Sequence, residues 1–155
     1  MFHYTPPKEL RALFIIHYAP LLLIILLGPL TAYYGVWEMP LPRLFTIILG
    51  CAVFLLGTFV YFKWEIFWQR TYKGQLVTGG IFQYIRHPHY TSVLIVGFGL
   101  ALFFYSILAL AIAIIAIPIM IWSIFDEEKI LIQQYGEPYK EYMKKVPWRI
   151  IPRIF

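Results

Sequence analysis

The chain has 155 residues, of which 61% are hydrophobic and 14% are charged, and its formal net charge is +5. This composition excludes an ordinary soluble protein and indicates one membrane-embedded domain over residues 1–155. No basic stripe is interleaved with aromatic residues, so we expect no nucleic-acid partner. The single cysteine leaves no intrachain disulfide to form.

Three stretches without a formal charge predict the membrane spans. Residues 12–37 and 44–62 are each long enough to cross a hydrocarbon core of about 30 Å. The 39 residues between Arg86 and Asp126 also lack charge, but as one straight helix they would be about 58 Å long. This run must therefore fold back on itself. We predict an all-α integral membrane fold with four transmembrane helices, the last two a helical hairpin, and a short C-terminal interfacial helix.

Turn and helix-end signals set the expected boundaries of the first two helices. Thr5-Pro6-Pro7 is a helix-start signal, and helix one is expected to end at about Tyr34. Pro20 and Pro29 predict kinks inside it. Helix two is expected to continue beyond the membrane through an aromatic belt that contains Trp64, Phe67 and Trp68.

The later helices carry similar signals. Pro88 suits the first turn of helix three, in which Gly97 and Gly99 predict the close approach of a neighbouring helix. Helix four is expected to run from about Ser106 to about Gln134. A short helix should then begin at Pro138, with an apolar face typical of an interfacial lid or anchor that is formed by Tyr139, Tyr142, Met143 and Val146.

The basic residues predict the orientation of the chain. Arg43 is the one Lys or Arg between spans one and two, and placing both termini in the cytosol puts 12 of the 13 basic residues on the inner side. The short chain fits the plasma membrane of a bacterium or archaeon. The sequence gives no indication of the oligomeric state.

The predicted hairpin returns two polar clusters to the same membrane face. Arg86-His87-Pro88-His89-Tyr90 stands at a helix start, where unpaired N–H groups favour an anionic ligand group. Asp126-Glu127-Glu128 supplies carboxylates that suit the paired hydroxyls of a ribose or a cationic group. Adjacent helical residues point about 100° apart, so Glu127 and Glu128 are not expected to face the same neighbour.

Metal and haem sites are weaker interpretations of these residues. His87 and His89 do not stand at HxxxH or HExxH spacing, so we predict no metal site. Haem ligation by two histidines would need a partner for His17 at span depth, and none exists in the sequence. His17 is therefore interpreted as a helix-packing hydrogen-bond partner.

Three patterns follow in order along the second half of the chain. They are LVTGGIFQYIRHPHY at residues 76–90, DEEKIL at residues 126–131, and YGEPYKEY at residues 135–142 with Val146-Pro147 after it. Their order and spacing resemble the isoprenylcysteine carboxyl methyltransferase and phospholipid methyltransferase superfamily. The resemblance implies a membrane methyltransferase whose cofactor-binding part covers about residues 74–152.

The resemblance implies S-adenosylmethionine as the cofactor, bound without a Rossmann fold. Arg86 is included because its positive charge would attract the methionine carboxylate. The predicted cofactor-binding residues are Gln75, Leu76, Val77, Arg86, His87, Pro88, His89, Tyr90, Glu127 and Glu128. Catalytic residues are not assigned by the pattern. Glu127 is a candidate general base for an acceptor that must lose a proton.

Departures from the family pattern bear on the acceptor. Ile81 and Phe82 replace a proline and a tyrosine that are frequent in the family, and Ser92 stands where glycine or alanine is common. Ser123, a substrate-site candidate, occupies the position where carboxyl methyltransferases of this family place an arginine. The predicted acceptor is lipophilic and drawn from the bilayer: an isoprenylcysteine-type carboxylate, a phospholipid amine or a small lipophilic molecule.

Two other functions compete with this interpretation. NADPH-dependent sterol reductases share RHPxY and an ending like residues 146–152, but the Glu127-Glu128 pair and the short length favour the methyltransferase. A non-enzymatic membrane scaffold or lipid-binding module would use the polar clusters for topology alone and would bind no nucleotide.

Overall fold

The computed structural model describes the backbone of residues 8–155 and the side chains of residues 16–155. This part of the chain is helical, with one isolated β-bridge between Glu38 and Ser106. The predicted helix-start signal Thr5-Pro6-Pro7 lies outside the described residues. The helices are α1 Lys8–Tyr34, α2 Arg43–Thr71, a 3-10 turn Gly80–Gln83, α3 Pro88–Phe103, α4 Ile107–Tyr135 and α5 Glu137–Lys145.

Three of the described helical segments are long and apolar enough to cross a membrane. They are Ile16–Tyr34 within α1, Arg43–Thr71 and Ile107–Tyr135. The apolar helix α3 has 16 residues, which gives about 24 Å against a hydrocarbon core of about 30 Å. The chain is therefore an integral membrane protein with three long apolar helices and a fourth, shorter one.

The predicted helix ends agree closely with the structure. α1 ends at Tyr34, and α3 begins at Pro88, whose missing N–H costs nothing in a first turn. The Ser106 side chain caps α4 by accepting a hydrogen bond from the Ala109 N–H at 3.1 Å. α4 ends at Tyr135, one residue beyond the expected boundary, before Gly136 at φ +63°.

Close backbone contact joins α2 to α3. A Cβ atom on Gly99 would lie 2.4 Å from the Phe54 nitrogen, and one on Gly50 would lie 2.3 Å from the Phe103 nitrogen. Glycine is required at both positions because the backbone of the neighbouring helix already occupies the space that a side chain would fill. Gly97 was predicted to share this role, but a Cβ there would only make an ordinary 3.5 Å contact with Ile24 of α1.

Hydrogen bonds connect the α1–α2 loop to the turn between α3 and α4. The Met39 N–H donates to the Tyr105 carbonyl at 3.3 Å, and the Ile107 N–H donates to the Trp37 carbonyl at 2.9 Å. Nearby, the Thr31 hydroxyl of α1 donates to the Ser106 hydroxyl at 2.7 Å. These bonds hold one end of the helix assembly together, at the opposite end from the polar clusters.

The short helix α5 packs against the protein. Its buried residues join the inner apolar cluster, which we define as Val77, Phe82, Tyr139, Tyr142 and Val146. The Tyr142 hydroxyl also donates to the Phe82 carbonyl at 2.7 Å. The apolar face that suggested an interfacial anchor therefore covers the loop before α3, because that loop supplies the complementary apolar surface.

Candidate functional site

Arg86 and Glu128 form the centre of the polar site. The Glu128 Oε1 atom accepts hydrogen bonds from Arg86 Nε at 2.9 Å and from Arg86 Nη2 at 2.6 Å, and both side chains are buried. Arg86 Nη1 donates to the Val146 carbonyl at 2.6 Å, which ties the end of α5 to the same centre. Arg86 and Glu128 thus satisfy each other, as buried charges must.

Arg149 is the second cation of this site, and it was not among the predicted site residues. Its Nε and Nη2 atoms lie 3.2 Å and 3.1 Å from Glu128 Oε2. The guanidinium also lies over the rings of Phe125 and Phe155, at 4.9 Å and 5.2 Å from their centroids. The only sequence signal for this residue was its place in the ending that resembles sterol reductases.

His87 lies between the two carboxylates. Its Nδ1 atom is 3.5 Å from Glu127 Oε2, and its Nε2 atom is 3.2 Å from Glu128 Oε1. The expectation that Glu127 and Glu128 face different neighbours is therefore wrong. One imidazole spans the angle between them because its two nitrogens lie on different edges of the ring.

The charge state of His87 follows from this geometry. Burial opposes protonation of the ring, but the hydrogen bonds and charges of Glu127 and Glu128 outweigh it and raise the pKa of His87. An imidazolium at this position donates to both carboxylates. Since Arg86 and Arg149 already neutralise Glu128, the added positive charge mainly balances Glu127.

The C-terminal segment occupies amides that were expected to attract an anionic ligand. The Arg86 N–H donates to the Trp148 carbonyl at 2.9 Å, and the His87 N–H donates to the Arg149 carbonyl at 2.8 Å. The Thr91 hydroxyl adds a bond to the Ile150 carbonyl at 2.8 Å. These two amides at the start of α3 therefore hold the C-terminal segment in place.

The next residues of the motif are buried among aromatic rings. The His89 ring centroid lies 4.6 Å from that of Trp64, and the rings of Tyr18, Tyr61 and Tyr90 lie 5.6–5.8 Å away. These contacts bring α1 and α2 to the first turn of α3. The His89 ring therefore packs at the point where α1, α2 and α3 meet.

Tyr90 makes a hydrogen bond with His17 of α1. Its hydroxyl lies 2.8 Å from His17 Nε2, and both side chains are buried. The interpretation of His17 as a helix-packing hydrogen-bond partner is confirmed. Tyr90 also interacts electrostatically with Glu127, so the bond extends the polar site toward the membrane interior.

Glu127 and Tyr139 are the groups of this site best able to receive a ligand. The Glu127 side chain is 23% exposed, against 5% for Glu128. The Tyr139 hydroxyl is buried and has no hydrogen-bond partner among the described residues. Burial and the charges of Glu128 and Glu127 raise the pKa of Tyr139, so its hydroxyl remains a donor at neutral pH.

The predicted cofactor-binding residues Gln75, Leu76 and Val77 lie outside the charged centre. Gln75 is exposed and folds its amide back onto its own loop, where it contacts the Lys73 N–H and the Thr71 carbonyl. Val77 is buried in the inner apolar cluster, and Leu76 packs against it. The structure thus directs these side chains toward their own loop and α5, and it does not bring them into the charged centre.

A small apolar cleft lies between α1, α3 and α4. Its lining includes Leu21, Ile24, Val93, Gly97, Ala116 and Met120. Tyr90 stands one turn before Val93, and the two residues share one buried cluster. Ser123 is buried one turn before Glu127 and donates its hydroxyl to the Ile119 carbonyl at 3.0 Å.

Known proteins are similar to this chain over the part that carries most of this site. Residues 45–138, more than half of the chain, match the family model for phospholipid methyltransferases. A protein-S-isoprenylcysteine O-methyltransferase of Dictyostelium discoideum is 42% identical over 87 residues, which are 51% of this chain and 33% of that protein.

Two further relatives carry similar names. The protein-S-isoprenylcysteine O-methyltransferase of Schizosaccharomyces pombe is 32% identical over 46% of this chain and 31% of its own length. Protein-S-isoprenylcysteine O-methyltransferase B of Arabidopsis thaliana is 36% identical over 47% of this chain and 38% of its own length. The matched region spans about a third of each of these relatives. The chain belongs to the phospholipid methyltransferase family.

Proposed function

We propose that this protein is a membrane methyltransferase that uses S-adenosylmethionine and methylates a lipophilic acceptor from the bilayer. The family match and the names of the three relatives support this proposal. The observation that carries it is the meeting of His87, Tyr90 and Glu127 in a buried polar site. Tyr90 also packs in one buried cluster with Val93 and Met120, which line the apolar cleft. A polar site beside an apolar cleft suits a reaction between a polar cofactor and an apolar acceptor.

The residues present fit the cofactor in two respects. The partly exposed Glu127 carboxylate can accept hydrogen bonds from ribose hydroxyls or from the cofactor's amino group. The buried Tyr139 hydroxyl offers a donor that no described residue uses. His87, His89 and Tyr90 would complete the wall of the pocket.

Several predicted residues act as support in this proposal. Arg86 and Glu128 hold α3, α4 and α5 together, and Pro88 starts α3 beside them. Leu76 and Val77 pack against α5, and the Gln75 amide closes the loop that carries them. Their side chains fix the shape of the pocket.

The sulfonium of the cofactor would supply an activated methyl group, so the protein mainly has to align the reactants and exclude water. A carboxylate acceptor needs no base. An amine or thiol must lose a proton, for which Glu127 is the candidate base. An isoprenylcysteine-type carboxylate, a phospholipid amine and a small lipophilic molecule are the candidate acceptors, and Ser123 offers no charge to a carboxylate.

We further propose that α3 crosses the membrane and forms a hairpin with α4. α3 lies along α2, with Gly50 beside Phe103 and Gly57 beside Val96. Its C-terminal end joins the α1–α2 loop, and its N-terminal end joins α5. Both chain termini then lie on the cytosolic side, together with the cofactor site.

The test is calorimetric titration of the detergent-purified protein with S-adenosylhomocysteine and, separately, with NADPH. We expect micromolar binding of S-adenosylhomocysteine, and a loss of more than about tenfold in Glu127→Gln, because the amide cannot accept the same charge-assisted bonds. Asp126→Asn is the matched control, since the neighbouring carboxylate is exposed and pairs with Lys129.

Two other results of the titration would contradict the methyltransferase proposal. Binding of NADPH alone would favour the reductase, and binding of neither ligand by folded protein would favour the scaffold. Once binding is established, methyl transfer from labelled S-adenosylmethionine to N-acetyl-S-farnesylcysteine or to dioleoylphosphatidylethanolamine distinguishes a carboxylate from an amine acceptor.

A further inference from the structure

His17 lies outside every segment that identifies the family. The matched region begins at residue 45 and the motifs at residue 76, whereas His17 belongs to α1. Its side chain is 3% exposed, and its ring centroid lies 4.2 Å from that of Tyr90. A buried polar side chain within a membrane helix is costly to maintain, which favours a role in the site.

Tyr90 connects His17 to the proposed cofactor site. Its hydroxyl lies 2.8 Å from His17 Nε2, and its ring meets the His87 ring edge-on at 5.6 Å. Glu127 interacts electrostatically with both Tyr90 and His17. The side chains of α1, α3 and α4 therefore meet at Tyr90.

The donors and acceptors of His17, Tyr90 and Glu127 indicate which group donates in each hydrogen bond. A phenolic hydroxyl has one hydrogen to donate, and a carboxylate can only accept. If the His17 Nε2–H donates to the Tyr90 oxygen, the Tyr90 hydrogen is left for Glu127. The order His17 to Tyr90 to Glu127 thus gives each of the two contacts one donor and one acceptor.

We propose that His17 is a positioning residue that holds the Tyr90 hydroxyl toward Glu127 and so orients the Glu127 carboxylate for the cofactor. This inference rests on the proposed function. It assigns α1, which the family match does not cover, a direct part in the affinity of the site.

A double-mutant cycle on S-adenosylhomocysteine affinity tests the inference. The variants are His17→Leu, Glu127→Gln and the two combined, measured by calorimetry in the same detergent. We expect His17→Leu to weaken binding about fivefold or more in the wild-type background and less than about twofold when Glu127 is already Gln. A residue that only stabilises the fold would lower affinity equally in both backgrounds.

Two further variants separate hydrogen bonding from packing. His17→Gln keeps an N–H donor and should restore most of the affinity, whereas Tyr90→Phe should reproduce the loss. Thr31→Val is the matched control, because Thr31 also makes a buried bond from α1 to another helix, at the opposite end of the assembly. That variant should bind like the wild type.

Wild-type affinity in His17→Leu, or an equal loss in both backgrounds, would overturn the positioning role while leaving the proposed function intact. No binding of S-adenosylhomocysteine by the folded wild-type protein would overturn the proposed function, and the positioning role with it.

Discussion

The guanidinium of Arg86 and the carboxylate of Glu128 lie 2.6 Å apart although they are 42 positions apart in the chain. Between them runs the charge-free stretch that contains α3 and the first part of α4. Both side chains are nearly inaccessible to solvent, so the contact is an internal joint of the molecule. It also reaches α5 through the Val146 carbonyl.

Glu128→Gln should destabilise the protein strongly. It leaves Arg86 and Arg149 as buried cations without their shared anion, and removing one partner of a buried pair costs on the order of 3–5 kcal/mol. Thermal unfolding in detergent measures the effect. Glu137→Gln is the control, because the Glu137–Lys140 pair is also 2.6 Å long but exposed, and its loss should not change the melting temperature. Equal effects of both substitutions would contradict the internal role of Glu128.

Stability should depend on pH through His87. The pKa of His87 is raised in the folded protein, so its stabilising contribution is fully present below the ordinary imidazole value of about 6.5 and is lost as the pH rises through the folded value. The melting temperature should therefore fall as the pH is raised above the ordinary imidazole value. His87→Gln should flatten this slope; an unchanged slope would show that another group is responsible.

Gly99→Ala should separate α2 from α3. Its new Cβ would lie 2.4 Å from the Phe54 backbone nitrogen, so the helices must move apart, at a cost of about 1–3 kcal/mol. Gly97→Ala on the same helix should be tolerated, since its Cβ makes only a 3.5 Å contact. Melting temperatures of the two variants give the comparison, and equal stability would argue against the observed closeness of the helices.

Cysteine labelling should decide the number of crossings. In a Cys51→Ser background, Lys73→Cys lies before α3 and Lys144→Cys lies after α4. Because α4 is long and apolar enough to cross the membrane, the two positions lie on the same side only if α3 crosses as well. An impermeant maleimide should label neither in intact cells and both after permeabilisation. Leu41→Cys in the outer loop should be labelled without permeabilisation. Opposite sidedness of residues 73 and 144 would leave α4 as the sole crossing after α2.

The helix boundaries were predictable because they depend on local chemistry. Pro88 can begin a helix but not continue one without loss of a hydrogen bond, and the Ser106 side chain supplies its own cap. The length of the charge-free run required a reversal near Ser106. Gly97 was mistaken for a contact glycine because spacing along a helix does not show which face meets the neighbour.

The polar site was predictable in its residues but not in its connections. Adjacent glutamates were expected to have different neighbours, and a single ring, that of His87, joins them. Arg149 carried no signal of its contact with Glu128, since it lies in a segment without regular structure after α5. Such contacts depend on where distant segments lie in three dimensions.

Local sequence patterns were enough to predict the membrane as the environment, the positions of the helices and the residues available for chemistry. Hydrophobic length, proline and capping residues act within a few residues of themselves, so they can be interpreted without the fold. The packing of the helices was needed to show that Glu128 is neutralised by Arg86 and Arg149, while Glu127 remains accessible beside Tyr90. The reason is that the environment of a carboxylate is set by groups from other helices, whose distances no local pattern contains.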